Sequence, residues 1–324
     1  MRKVRAGVRL RGFLSLSVTA CFFGLGVVLA KLLTGVFSPV LLACFALGCG
    51  GLLVTLLLLV TRRPLLPPAS RAIWGNLLVL GVLGTALPLV LVIAGFSMTS
   101  AVVSGVLIQA QGPAAVLLAA IMLRERPSLA QLIGIAIIIL GGVLVVVRPD
   151  LSFQADALGV ALVLAGAVGY GFALIPAKRL AGKVDTLQVS ALRFLIGVIF
   201  VAPLLYFQPT LMTGAISWDT VAVFALYVLT SYCAGYILQQ DGLRFLKAWE
   251  AAATLQTLPV FAALFAVLFL HETIAPLQIA GVLAVIVGGI IIARGSPAEE
   301  LPVVGATDDA TETASPSAPT ESAQ

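Results

Sequence analysis

The only histidine in the chain, His271, is followed directly by a carboxylate, Glu272. A histidine beside a glutamate could belong to a zinc site or an acid–base pair, because imidazole and carboxylate groups bind metals and transfer protons. The zinc-protease pattern needs a second histidine four residues after the first, and Ala275 stands there. The four cysteines show no CxxC spacing. The sequence therefore predicts no catalytic residue, no metal site and no cofactor.

Glutamine amides form the second group of candidates. Gln109 and Gln111 lie about 200° apart on a helix, so only one of them can face a given cavity. Gln109 has a counterpart 147 residues later, Gln256, whereas Gln111 corresponds to Leu258 at that shift. Gln109 and Gln256 could therefore bind the polar head of a substrate. The alternative is a pair of hydrogen bonds between helices, each contributing about 0.6–2 kcal/mol.

Three tyrosines and one arginine complete the candidate substrate-binding residues. Tyr232 and Tyr236 lie four residues apart on one helical stripe and, together with Tyr170, could form an aromatic wall for an amphipathic substrate. Ordinary packing, or an interfacial position for Tyr236, is the alternative. Arg193 could bind a substrate carboxylate, or it could extend to the membrane surface as long basic side chains do.

Composition indicates which elements must hold these residues. Of the 324 residues, 60% are hydrophobic and only 10% are charged, whereas a soluble domain is about one quarter charged. Apolar runs of about 20 residues match helices that cross a hydrocarbon core about 30 Å thick. Lipid tails cannot hydrogen-bond to backbone N–H and C=O groups, so a crossing segment must satisfy these groups internally. We therefore predict an all-α membrane protein. Ten transmembrane helices are expected at residues 12–31, 39–61, 73–95, 101–123, 128–147, 157–178, 187–207, 219–240, 251–270 and 275–293.

Basic residues are distributed unevenly among the predicted loops. Sixteen of the 19 lysines and arginines fall at the N-terminal end or in alternate loops, whereas only Lys31 and Arg148 fall on the opposite side. Positive charge remains cytoplasmic, so both termini are predicted to be cytoplasmic, with the chain in the cell membrane. The net charge of +5 thus orients the protein. It does not indicate a nucleic-acid partner.

The sequence repeats itself at a shift of 147 residues. Eleven of 41 positions are identical when 105–145 is aligned without gaps to the residues 147 positions later. We therefore predict two five-helix repeats, 1–150 and 151–295. Because five is odd, the second repeat should be inverted relative to the first, which is typical of transporters. The remaining segment, 296–324, is acidic and rich in Ser, Thr and Pro, which predicts a disordered cytoplasmic tail.

The repeat also accounts for His271 and Glu272, which are the copies of Arg124 and Glu125. Inversion would place Glu125 at the cytoplasmic end of its helix and Glu272 at the external end. We predict that each carboxylate accepts backbone N–H groups at the start of the helix that follows its turn. Sensing of external pH by His271 is the alternative.

The duplicated segments carry a resemblance to a known family. The segments "VLIQAQGPAAVLLAAIMLRE" and "ATLQTLPVFAALFAVLFLHE", each followed by a Gly and a Gly-Gly pair, resemble the EamA-type repeat of the drug/metabolite transporter superfamily. "FFGLGVVLAKLL" is similar to that family's first helix, and the likeness spans about residues 12–293. The resemblance implies a ten-helix carrier, commonly an exporter of small metabolites or amino acids. Members often have an arginine in the second and seventh helices; Arg193 is present, but Ala46 stands at the other position.

Together these observations predict a transporter that exports a small neutral or zwitterionic metabolite, such as an amino acid, by alternating access. No carboxylate falls at mid-depth, which disfavours a pump for cationic drugs and leaves proton coupling open. A flippase for lipids or their headgroups is the alternative, and a membrane-embedded enzyme is less favoured because it would need a cluster of His, Cys, Asp or Glu. The expected partners are the substrate and the bilayer, with the chain as a monomer or homodimer.

Overall fold

The computed structural model describes residues 2–122, 124, 126–146, 156–180, 183–208, 210–243, 245 and 254–295. In this part of the chain, nine helices are long and apolar enough to cross a membrane, and Leu258–Leu270 is a shorter apolar helix. The protein is therefore a nearly all-helical, multi-pass membrane protein. Glu125 and the predicted tail, 296–324, lie outside the described residues.

The helices that the structure describes have the following bounds. The first half contains α1 (Arg2–Leu33), α2 (Pro39–Val60), α3 (Arg71–Gly81, Val82–Ala86 and Leu87–Met98), α4 (Ala101–Leu107, Ile108–Ala110 and Gln111–Met122) and α5 (Leu129–Val146). The second half contains α6 (Ala157–Phe172, then the short helix Leu174–Leu180), α7 (Thr186–Val201 and Ala202–Phe207), α8 (Trp218–Tyr227, Val228–Ala234 and Gly235–Leu243), α9 (Leu258–Leu270) and α10 (Pro276–Gly295).

The outer surface of this bundle carries large apolar side chains. Leu52, Ile121 and Ile199 are exposed by 65%, 75% and 72%. Water would make such a surface costly, at roughly 25 cal/mol for each Å² of apolar area. Lipid tails remove that cost, so these exposed faces agree with helices that lie in a bilayer.

The turn between α3 and α4 is shorter than predicted. Residues 96–100 were expected to connect the third and fourth helices, but α3 continues to Met98 and only Thr99 and Ser100 connect it to α4. The hydroxyl groups explain the difference. Thr99 Oγ1 donates to Gly95 O at 2.9 Å, so it is satisfied by its own helix. Ser100 then begins α4, because its side chain accepts from Val103 N.

The starts of two helices, α1 and α9, differ from the prediction by several residues. α1 begins at Arg2 and not at residue 12, since the arginines and lysine that precede the apolar run are good helix formers. α9 begins at Leu258, with Pro259 in its first turn and Gln256 in the turn before it. Proline is favoured in a first helical turn, where its missing N–H costs nothing.

π-helical segments interrupt α3 at Val82–Ala86 and α8 at Val228–Ala234. A π-helical segment closes i→i+5 hydrogen bonds and changes which side chains share a face. The segment in α8 includes the positions that lie 147 residues after the segment in α3. The same irregularity is therefore present in both halves of the chain.

α5 and α10 form the most extensive helix pair, and glycines lie between them. A Cβ atom added at Gly134 would approach Gly288 O to 2.6 Å, and one added at Gly141 would approach Gly281 O to 2.7 Å. The order is reversed along the two helices, so α5 and α10 are antiparallel. Gly281 and Gly288 are the copies of Gly134 and Gly141, so each glycine contacts the copy of the other. Such reciprocal contacts are those of a two-fold axis.

Loops join the two halves at both ends of the bundle. At the end that contains Lys31, called the Lys31 end, Ser38 N donates to Leu211 O at 2.9 Å. At the opposite end, called the Arg63 end, Arg63 pairs with Asp185 at 2.7 Å. Ser38 and Asp185 are the N-caps of α2 and α7 and are copies of each other in the repeat. Equivalent positions are therefore anchored at both ends.

The close approach of α5 and α10 gives a stability prediction. Gly141→Ala and Gly288→Ala each place a methyl group against backbone atoms, so each should lower the free energy of unfolding by about 1–3 kcal/mol. Gly75→Ala in α3 is the matched control, because its Cβ would meet nothing within 4 Å. Thermal unfolding in detergent measures the effect. Equal transition temperatures for Gly141→Ala and Gly75→Ala would contradict the packing.

Candidate functional site

The two predicted glutamines meet across the halves. Gln109 Nε2 donates to Gln256 Oε1 at 2.7 Å, so the interhelical hydrogen bond considered as an alternative does form. Gln109 is only 3% exposed, and its own carbonyl oxygen has no hydrogen-bond partner among the described residues. A buried acceptor without a partner costs about 1–3 kcal/mol. The pair therefore presents an acceptor that a donor group of a ligand could satisfy.

Irregular backbone and glycines make room for this amide pair. Gln109 lies in the 3-10 segment Ile108–Ala110, and Gln256 lies in the turn before α9. A Cβ atom at Gly289 of α10 would come within 2.5 Å of Gln256 Oε1, so glycine at this position leaves room for the Gln256 side chain. At Gly112 an added Cβ would remain 4.0 Å from Gln256 Nε2, which leaves free space beside the pair.

Arg193 and the predicted tyrosines form a second group. The Arg193 guanidinium lies 5.8 Å from the ring centre of Tyr236 and 5.6 Å from that of Phe194, distances at which a cation is attracted by a ring face. Tyr170 lies within electrostatic range of Tyr236 and Arg193. The ring of Tyr232 contacts Phe194, with centres 5.5 Å apart. The structure therefore brings Tyr170, Tyr232, Tyr236 and Arg193 together.

The Arg193 side chain points into the bundle. Its Nε donates to Thr85 Oγ1 at 2.9 Å. Thr85 is buried in the π-helical segment of α3 and donates its own hydroxyl proton to Leu80 O at 2.8 Å. These contacts direct the guanidinium toward Thr85 and the aromatic rings and not toward the membrane surface. Within the described residues, no carboxylate pairs with Arg193.

Tyr227 belongs to this aromatic group and was missed by the sequence analysis. Its hydroxyl group lies 3.2 Å from that of Tyr232, and the two ring centres are 5.4 Å apart. Residues five apart on an α-helix face about 140° away from each other. The π-helical segment Val228–Ala234, which follows Tyr227 and contains Tyr232, brings i and i+5 side chains together. Helical periodicity carries no signal for this contact.

The two halves contribute different chemistry at equivalent places. Arg193 and Thr85 correspond in the repeat to Ala46 and Tyr232. At that second place Tyr232 packs against α2, where a Cβ atom added at Gly50 would lie 2.9 Å from Tyr232 Cβ. One side of the group is therefore cationic and polar, and the other is aromatic.

The amide pair and the aromatic group are neighbours through α6. Gly171, which follows Tyr170, packs on α4, because an added Cβ there would lie 2.8 Å from Gln111 O and from Ala114 Cβ. In the part of the chain that the structure describes, no hydrogen bond joins the amide pair to the tyrosines or to Arg193. The site residues thus form two adjacent groups.

Glu272 caps a different helix from the one predicted. Its carboxylate accepts from Ala101 N at 2.8 Å and from Val102 N at 3.2 Å, at the start of α4. At the start of the following helix, α10, a different side chain accepts the backbone bond: Ala275 N donates to Gln278 Oε1 at 3.0 Å. The prediction was wrong because His271 ends α9 in the left-handed conformation, with φ 52°, and this turns Glu272 toward α4. Arg124, the copy of His271, has φ 56°.

An apolar cavity lies between α4, α5 and α6. Its volume is about 420 Å³, and its lining consists of aliphatic, glycine and proline residues. Ile139 and Val143 line the cavity and are largely exposed, so it opens on the outer surface of the bundle. Such an opening fits a hydrocarbon chain better than a polar molecule.

Comparison with known proteins assigns the family. A sequence model of the EamA-like transporter family matches the chain over residues 10–147 and again over 157–294. The second match begins and ends 147 residues after the first (157 against 10, 294 against 147). The two matches cover most of the chain. The chain therefore belongs to the EamA-like transporter family.

The chain is also similar to individual proteins, two of them transporters by name. The chain is 24% identical over 291 residues to an uncharacterized transporter of Methanothermobacter thermautotrophicus, which covers 83% of this chain and 82% of that protein. An uncharacterized transporter of Archaeoglobus fulgidus is 25% identical over 288 residues, with 88% and 99% covered. A solved crystal structure matches with a TM-score of 0.62 and 21% identity, covering 89% of this chain and 96% of that chain. This last likeness supports the fold alone.

The amide pair predicts coupled effects on stability. Gln109→Leu and Gln256→Leu should each destabilise the protein, because each leaves one buried amide without its partner. The double variant should be about 0.6–2 kcal/mol more stable than additive effects require. Gln111→Leu combined with Gln256→Leu is the control and should be additive, because Gln111 lies on another face of α4. Additive effects for Gln109 and Gln256 would contradict the hydrogen bond.

Proposed function

We propose that this protein exports a small neutral or zwitterionic organic metabolite, such as an amino acid, by alternating access. The observation that carries the proposal is the buried carbonyl oxygen of Gln109 beside Gln256, to which no described residue donates a hydrogen bond. An N–H or O–H group of a substrate would satisfy this acceptor. We assign no enzymatic reaction to the chain, because its single histidine lies in the turn between α9 and α10.

The proposed mechanism uses two inverted repeats of five helices, 1–150 and 151–295. The antiparallel glycine contacts of α5 and α10 and the repeated π-helical segments support this arrangement. A residue that contacts its own copy would lie on the two-fold axis of such a pair, and the Gln109–Gln256 hydrogen bond supports this position for the amide pair. Two halves related in this way can exchange shapes, so that the site opens to each face in turn.

The proposed orientation places both termini in the cytoplasm of a cell-membrane protein. The Arg63 end carries several basic residues near its helix ends, including Arg63, Arg71 and Arg179. Positive charge is retained on the cytoplasmic side. The Lys31 end is then external. Export would require the site to load from the Arg63 end and release at the Lys31 end.

The proposed substrate follows from the groups that the site offers. Arg193 has no carboxylate partner among the described residues and could pair with a substrate carboxylate. The tyrosine rings offer an apolar wall with hydroxyl groups, and the Gln109 carbonyl oxygen could accept from an amino group. A zwitterion with an apolar side chain can use all three features. A purely cationic substrate would be repelled by Arg193.

A lipid or lipid-headgroup flippase is the second candidate function. The apolar cavity of about 420 Å³ between α4, α5 and α6 favours it, because the cavity opens on the outer surface of the bundle. A hydrocarbon chain entering beside Ile139 and Val143 would find an aliphatic lining. In the export mechanism, by contrast, this cavity has no role.

Counterflow in proteoliposomes tests the proposal. Vesicles loaded with a pool of neutral and zwitterionic metabolites should accumulate the labelled substrate when wild-type protein is present. Gln109→Leu should lower the affinity by about tenfold, which corresponds to one lost substrate hydrogen bond. Gln256→Leu should also lower it, because Gln109 loses the partner that positions its amide. Gln111→Leu is the matched control and should transport as the wild type does. Unchanged affinity in both site variants would contradict the site assignment.

The same vesicles separate the two candidate functions. Movement of a fluorescent phospholipid between leaflets, without metabolite counterflow, would establish the flippase instead. Repeating counterflow with an imposed pH gradient tests proton coupling, and an unchanged rate would indicate exchange without protons.

A further inference from the structure

The turn between α3 and α4 is held by two charged side chains from distant parts of the chain. Lys31 Nζ donates to Phe96 O at 3.1 Å and also to Thr99 O, at the end of α3. The Glu272 carboxylate accepts from two backbone N–H groups at the start of α4. The Lys31 ammonium faces the carbonyl end of α3, which carries a negative partial charge. The Glu272 carboxylate faces the N–H end of α4, which carries a positive partial charge.

These contacts form one unit, which we call the Lys31–Glu272 clasp: the two side chains and the backbone groups of Phe96, Thr99, Ala101 and Val102. The Lys31 ammonium and the Glu272 carboxylate also attract each other through space. The clasp joins α1 to α3 and the α9–α10 turn to α4. It therefore crosses between the two halves of the chain at the Lys31 end.

Equivalent N-cap positions of α2 and α7 are also held at the two ends of the bundle. Ser38 N bonds Leu211 O at the Lys31 end, and its copy Asp185 pairs with Arg63 at the Arg63 end. The clasp connects α1, α3, α4 and the α9–α10 turn. The copies of its two charged residues in the repeat are Lys178 and Glu125, whose side chains lie outside the described part of the structure. α4 also carries Gln109, about 12 Å further along the helix from Ala101.

We propose that the Lys31–Glu272 clasp is the closure of the Lys31 end, and that it must separate before a substrate can leave the site at that end. Lys31 and Glu272 are positioning residues, because they hold helix ends and do not touch the substrate. Both lie at the end of the bundle, so water can solvate the two charges when the clasp separates. His271 contributes its left-handed backbone, which directs Glu272 onto α4. The inference rests on the alternating-access proposal, and it adds which contacts close one face.

Side-specific cysteine labelling tests the clasp. The four native cysteines are replaced, and Gly112→Cys places a reporter in the free space beside Gln256. A membrane-impermeant thiol reagent is then applied to one face of the membrane at a time. Lys31→Met and Glu272→Gln should each raise labelling from the Lys31 end by about tenfold, the shift expected when a charge-assisted hydrogen bond is lost. Labelling from the Arg63 end should fall.

Asp156→Asn is the matched control. The Asp156 carboxylate also accepts from two helix N–H groups, Leu158 N at 2.8 Å and Gly159 N at 3.2 Å. It lies at the same end, because Gly159 packs against Met98 and Thr99. However, both of its bonds are within its own helix, so it joins no two helices. Asp156→Asn should therefore leave labelling unchanged. In Lys31→Arg, the extent of labelling should be closer to that of the wild type than it is in Lys31→Met.

Two results would overturn the clasp. Wild-type labelling in both Lys31→Met and Glu272→Gln would show that these contacts do not close the Lys31 end. Labelling that rises equally from both faces would show that the variants loosen the whole bundle and act only on stability. Labelling needs no substrate, so a failure of the counterflow experiment would leave this result interpretable. Conversely, successful counterflow with unchanged labelling would reject the clasp alone.

Discussion

The antiparallel contact between α5 and α10 is the constraint on which the rest of the structure depends. Lipid tails are as apolar as leucine, so helices in a bilayer associate through close van der Waals contact. Glycines provide that contact here, and Gly134 and Gly141 each meet the copy of the other. The contacts between these two helices are therefore reciprocal. Gln109 likewise meets its own copy, Gln256.

The candidate site departs from this reciprocity. Arg193 bonds Thr85, whereas Ala46 and Tyr232 occupy the equivalent places in the repeat. A symmetric pair of amides, a cation and an aromatic surface are thus combined in neighbouring groups. We propose that the amide pair takes part in the alternation between two states, and that the cation and the aromatic surface determine which substrate binds. The Lys31–Glu272 clasp would report which face is closed.

Much of the fold, and part of the site, could be predicted from the sequence. Apolar runs of bilayer length give the helices, and rare identities such as Gln109 with Gln256 indicate the repeat. Local backbone chemistry was harder to predict. Tyr227 reaches Tyr232 only through a π-helical segment, and Thr99 satisfies its hydroxyl inside α3. The target of Glu272 depends on a contact between residues 171 positions apart, which no local pattern contains.

The most direct test of this account is the side of the membrane on which two equivalent residues lie. Arg126 and Thr273 are copies of each other in the repeat, and both are exposed. Single cysteines at these positions, in a protein without native cysteines, can be labelled by an impermeant reagent from either face. Inverted halves predict that the cysteine at 126 reacts only from the cytoplasmic face and the cysteine at 273 only from the external face. Labelling of both from the same face would contradict the inverted repeat.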